Sequence, residues 1–339
     1  VLGFTTSYGV AIAARVLIGA GDATAFLSVM RILPYWFPLH RTPMFTQVTS
    51  SLGQMGQFIS AVPFLWLLGA AGWTAAFVTL GAVGILVAIA AIVAVADSPE
   101  KLGIIPTKKE PPNSQATSIP ARLKTVFRSP VAWQAYFIHY IGMLPLIVFV
   151  MLWGMPMMTQ GMEISKAKSS LVLTLLAVFL VFVGPLHGKI SSRAQHVRPW
   201  LSLGFVAIHA LTWLIFFTFG TDSGLVAILV VSFITALCTP TANYGFDIVR
   251  ERMDRSVVAT ATGLGNMGGF TSGMLGAQLF GMVLDHSSDA PNYSMPDFTA
   301  AAAAVLAVWV VGMIGVIITH FLRHRAGEDG PSVTIVEVS

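Results

Sequence analysis

Apolar residues in this chain run in long unbroken blocks. Stretches able to cross a hydrocarbon core of roughly 30 Å, about 20 residues each, fall near 8–30, 44–68, 73–96, 131–155, 169–187, 200–220, 224–246, 257–284 and 299–321. Continuous runs of this kind predict nine membrane-spanning α-helices. They exclude a β-barrel, whose strands would alternate apolar and polar positions. The expected fold class is all-α and polytopic. One block also repeats: Leu52-Gly-Gln-Met-Gly-Gln-Phe-Ile-Ser60 returns as Leu264-Gly-Asn-Met-Gly-Gly-Phe-Thr-Ser272, and the same register pairs Gly69 with Gly281. Glycine costs about 1 kcal/mol in a helix interior relative to alanine. Gly53 and Gly56, recurring as Gly265 and Gly268, therefore predict close helix approach on both occasions.

Polar positions inside the blocks are few and spaced as on helices. In the first, Arg15 and Asp22 stand seven apart, which places them on one face about 10 Å apart along the axis. An ionisable group inside a span faces a cavity or a partner, and Asp22 is near enough to the end of its run to be hydrated. In the second, Gln47, Ser50, Gln54 and Gln57 form a stripe that either lines an aqueous path or bonds neighbouring helices. The fourth carries Trp133, Tyr136 and Tyr140 on one face, as packing or as ligand contacts, with the titratable His139 beside them. In the seventh, Pro240 opens the helix so that nearby carbonyls become available, with Asn243 and Tyr244 next to them. Asp247, Arg250, Glu251 and Arg252 read as its solvated end.

Composition agrees with a lipid solvent: 55% of residues are hydrophobic and 10% charged, with mean hydropathy +0.77. Cys238 is the single cysteine, so no disulfide framework exists. The net charge of +4 is explained by its location. With alternate loops assigned to the cytoplasm, 16 of the 19 Lys and Arg residues fall in them, from Arg31 and Arg41 to Arg323 and Arg325. This positive-inside distribution orients the C-terminus to the cytoplasm and removes any need for a nucleic-acid partner. Residues 97–128 are polar, basic and proline-bearing, the composition of a cytoplasmic linker between two bundles, and 323–339 read as a disordered cytoplasmic tail. The expected division is thus a partial bundle at 1–96, the linker, and a six-helix bundle at 129–322.

The segment Gly184-Pro-Leu-His-Gly188-Lys-Ile-Ser-Ser192-Arg193 resembles the G-x-x-x-D-R-x-G loop signature of the major facilitator superfamily, in the weaker form found between helices eight and nine. Arg15, Gly19 and Gly21 resemble that family's fourth-helix R-x-x-x-G-x-G motif. The glycine-rich repeat occupies the places of helices five and eleven, and Trp36-Phe-Pro with Arg41 looks like the loop between helices four and five. Ser192 replaces the signature aspartate, which removes from this half the charge that would latch one conformation.

The resemblance implies a two-bundle carrier represented by helices four to twelve, a chain lacking the first three. It further implies ion-coupled, proton-driven movement of a small solute through the cell membrane by alternating access at a midplane site. The alternative is a non-transporting remnant of such a permease. No enzyme motif, cofactor site, metal-ligand cluster or obligate protein partner is indicated. On this reading Arg15 and Asp22 serve the solute and proton pathway. Gln54, Gln57, Tyr136, His139, Asn243 and Asn266 add contacts to it, and Gly19, Gly21, Gly53, Gly56, Gly184, Gly188, Arg193, Gly265 and Gly268 serve helix packing and gating.

Overall fold

The computed structural model describes residues 1–104, 118–221, 224–287 and 292–327, leaving aside the side chains of residues 57–59, 61, 62, 100 and 101. The described residues contain no strand. Their helices are α1 (Tyr8–Trp36), α2 (Thr42–Ala94) and the short α3 (Ile119–Arg128), followed by α4 (Pro130–Gly161), α5 (Lys166–Arg193), α6 (Arg198–Gly220), α7 (Gly224–Arg252), α8 (Arg255–Ser287) and α9 (Met295–Arg325).

Eight helices among the described residues are long and apolar enough to cross a membrane, against nine expected. The difference lies in α2. The runs at 44–68 and 73–96 are joined there, and only the part from Pro63 onward meets both conditions. Gly72 separates the arms, with φ 80 and ψ 178, a conformation that a residue with a Cβ avoids.

Contacts divide the chain into two units, Val1–Pro38 with Leu52–Ser114, and Leu39–Ser51 with Gln115–Ser339. The start of α2 therefore groups with the C-terminal helices, whereas the sequence division groups it with 1–96. Within the first unit, the Trp73 indole donates to the Leu2 carbonyl at 3.2 Å, the Thr74 hydroxyl to Gly3 at 2.7 Å, and the Trp36 indole to Ala96 at 3.2 Å. These bonds set α1 parallel to the second arm of α2, so the chain reverses at Gly72.

In the second unit α4 is the central helix, packed against both α8 and α9. Small residues permit that closeness. A Cβ built on Gly268 would fall on the Tyr136 carbonyl, one on Gly276 would lie 2.5 Å from Leu144 Cδ1, and one on Gly312 would lie 2.5 Å from Ile141 Cγ2. Beyond Pro145, which lacks an N–H, α4 continues with π-type turns at Leu146–Trp153 and Met157–Gly161. Local signals set helix starts. At α9 the Asp297 carboxylate accepts from the Ser294 N–H at 2.8 Å and hydroxyl at 2.6 Å. Before α8, Asp254 accepts from the Ser256 N–H at 2.8 Å. Bonds from the Ser256 hydroxyl and amide hold this carboxyl below its ordinary range.

Candidate functional site: the broken helix α7

α7 loses its α-helical pattern at Thr239–Asn243, where it tightens into a buried 3-10 turn. Pro240 is the cause, since it brings no N–H and its ring crowds the preceding turn. The break releases backbone carbonyls toward side chains of other helices. The Pro240 carbonyl accepts from Gln47 Nε2 at 2.8 Å, and the Ala242 carbonyl lies 3.0 Å from His139 Nδ1. Because a carbonyl only accepts, the Nδ1 of His139 carries a hydrogen. Asn243 completes the junction, its amide donating to Gln47 Oε1 at 2.9 Å and to Ser50 Oγ at 3.1 Å. Gln47 thus has one amide orientation that satisfies both bonds. The His139 ring itself lies 4.6 Å from the Phe246 ring, in space left open by Gly269.

A second tier follows along α7, where the sequence predicts a solvated end. Asp247 is 1% and Arg250 9% exposed, so that expectation is corrected for these two, whereas Glu251 and Arg252 are half-buried; the partner Arg198 from α6 is 0% exposed. The Ser191 hydroxyl donates to Asp247 Oδ2 at 2.5 Å, and Arg250 meets Asp247 Oδ1 at 3.1 Å and Thr46 Oγ1 at 2.9 Å. Arg198 grips Glu251 with two bonds, at 2.5 and 2.8 Å, while its Nε donates to the Ser191 carbonyl at 3.0 Å. Buried charges survive only when paired and hydrogen-bonded, and each has such partners here. The acids facing α5 and α6 come from α7, not from the end of α5 where Ser192 stands. Ser192 itself turns back to the Lys189 carbonyl at 2.9 Å.

Gly184 and Gly188 bring the start of α2 into this cluster. A Cβ at Gly188 would lie 2.5 Å from Met44 Cα, and one at Gly184 would strike Ser51 Oγ. α5 and α2 therefore cross at backbone distance, which carries Thr46, Gln47 and Ser50 to α7. Arg193, two turns on, is exposed.

The remaining predicted residues are placed as follows. Tyr136 belongs to an aromatic ladder on α4, 5.3 Å from Trp133 and 6.1 Å from Tyr140. Gly265 and Gly268 pack against Phe246 and the Tyr136 backbone. In the first unit Arg15 and Asp22 lie on exposed faces of α1, and Gln54 is half-buried. The side chain of Gln57 lies outside what the structure describes. No described atom of that unit comes within 4 Å of a Cβ built at Gly19, Gly21, Gly53 or Gly56.

Of the two roles open to the stripe on α2, Gln47 and Ser50 take the second and bond to α7; sequence reasoning missed His187, whose Nδ1 lies 2.8 Å from the Tyr244 hydroxyl. It also missed the Asp247 cluster. A signal for that cluster exists, since Asn243, Asp247 and Arg250 stand at i, i+4 and i+7, one helical face.

Residues 1–277 match the Major Facilitator Superfamily. Over 99% of this chain and 77% of the relative, the sequence is 23% identical to the probable sulfoacetate transporter SauU of Cupriavidus necator. With a match over most of its length and apolar helices throughout, the chain belongs to the major facilitator superfamily and is a multi-pass membrane transporter.

Proposed function

We propose that this transporter moves a small organic anion across the cell membrane by alternating access coupled to protons, and that the seam between the start of α2 and α7 is its cytoplasmic closure. The observation that carries this reading is the Gln47 junction. The seam holds through hydrogen bonds from Thr46, Gln47 and Ser50, and such bonds contribute only about 1 kcal/mol net each, because water replaces them on opening. A closure of this kind opens for a few kcal/mol, the scale on which a solute shifts a conformational equilibrium. The interlock of α4 with α8 and α9 is backbone-deep, mostly apolar and tied by buried bonds from Trp309 to the Ile141 carbonyl and from Arg323 to Gln134, each at 2.7 Å, as suits a bundle that moves as a body.

The positive-inside distribution supports placing the seam at the cytoplasmic side. In the first unit we assign Arg15 to the anionic group, with Asp22, Gln54 and Gln57 as polar groups of the pathway; in the second, Asn243 and Asn266 as polar groups of the pathway and His139 as the proton-handling group. The named relative supports an acid such as sulfoacetate as first substrate. In proteoliposomes, labelled sulfoacetate accumulates when the outside is acidic, and collapsing the pH gradient with nigericin abolishes accumulation. Gln47→Leu, which leaves the Pro240 carbonyl and the Asn243 amide without their partner, lowers the rate about tenfold. Uptake of sulfoacetate and related carboxylates no faster than into empty liposomes overturns the reading.

A further inference from the structure

The last ten residues of the predicted linker are not linker but helix α3 (Ile119–Arg128). Its sequence, Ile-Pro-Ala-Arg-Leu-Lys-Thr-Val-Phe-Arg, sorts sharply around the axis. Val126, 1% exposed, faces inward on the side where α3 packs against α8. Ile119, Leu123 and Phe127, at i, i+4 and i+8, form one stripe and are 73%, 40% and 51% exposed. Arg122 and Lys124 flank Leu123 by about 100° on either side, and Arg128 lies beyond Lys124. Thr125 occupies the opposite face.

Position limits what covers the stripe. One residue, Ser129, separates α3 from the first turn of the spanning helix α4. The Trp133 indole donates to the Phe127 carbonyl at 2.9 Å, with the two rings 6.2 Å apart. The end of α3 is thereby pinned at the level where α4 enters the bilayer. An exposed apolar stripe at that level, edged by the exposed Lys124 and Arg128 on one side and, past the buried Val126, by the half-buried Arg122 on the other, has the charge and polarity of a helix lying in the headgroup layer.

We propose that α3 is a membrane-surface anchor that lays Ile119, Leu123 and Phe127 into the acyl chains and holds anionic phospholipid headgroups with Arg122, Lys124 and Arg128. The stripe provides depth and the cations provide preference for anionic lipid, about fivefold per basic residue.

The test uses the full chain in nanodiscs, with Cys238→Ala removing its one cysteine and a nitroxide attached at Leu123→Cys or Thr125→Cys. In phosphatidylcholine discs containing phosphatidylglycerol, oxygen relaxes the label at 123 several-fold more than an aqueous nickel chelate does, and the order reverses at 125. Leaving out phosphatidylglycerol makes the label at 123 shallower. The triple variant R122Q/K124Q/R128Q removes that dependence on lipid charge. A label at 123 that is open to nickel in both lipids overturns the proposal. So does one shielded from both reagents, as a second copy or another protein covering the stripe would produce, or a depth indifferent to lipid charge.

Discussion

Gly56 and Gly268 hold the same position in two copies of one motif, yet their surroundings are opposite. A methyl group added at Gly268 falls on the Tyr136 carbonyl, a backbone atom inside the closely packed α4, whereas one added at Gly56 meets open space. Gly268→Ala is therefore expected to destabilise the protein by about 1–3 kcal/mol through overpacking. Gly56→Ala is expected to be neutral, or to gain up to about 1 kcal/mol from helix propensity. Thermal unfolding in detergent, followed by circular dichroism, separates the two, and equal shifts would contradict the packing argument. The repeat was legible in the sequence because glycine spacing is a local property. Which copy has a neighbour was not, since that neighbour, α4, lies more than a hundred residues from Gly268. Asn243 shows the same division. Its place beside Pro240 was readable, but its partner Gln47 comes from another helix far back in the chain.

Among the elements, α7 carries the most chemistry because it is not a regular helix. Pro240 breaks it, the 3-10 turn releases two carbonyls, and side chains from α2 and α4 reach them. Pro240→Ala restores an N–H and removes the ring clash, so residues 239–243 should adopt regular α-helical bonding. Slower amide hydrogen exchange across this turn is the expected result, accompanied by slower solute uptake. Exchange unchanged from the parent would mean that the break is imposed by the surrounding helices and not by proline. The opening at Pro240 could be read from composition alone. The buried tier at Asp247 could not, for a run of charges near a helix end looks the same whether water or Arg250 and Ser191 surround it. α2 is the complementary case: its two arms were legible as separate runs, and the reversal at Gly72 joins them without a loop.

At the scale of the whole molecule, orientation follows from charge distribution. The cytoplasmic assignment of the C-terminus predicts that a green fluorescent protein fused after Ser339 is fluorescent and alkaline phosphatase fused there inactive. The same reporters placed after Ser165, between α4 and α5, should behave in the opposite way. A reversal of the two patterns would turn the seam at Gln47 to the other side of the membrane.

Solvent, helix count to within one and family membership could all be read from the linear chain, because lipid demands long apolar helices and leaves polar residues only where something requires them. Partnership could not be read there. The start of α2 joins α5 and α7 rather than the segment around it, and Asp247 and Arg250 of α7 are buried rather than wet. The first depends on how closely backbones approach at Gly184 and Gly188 and the second on partners brought from α2, α5 and α6, distances no local pattern records.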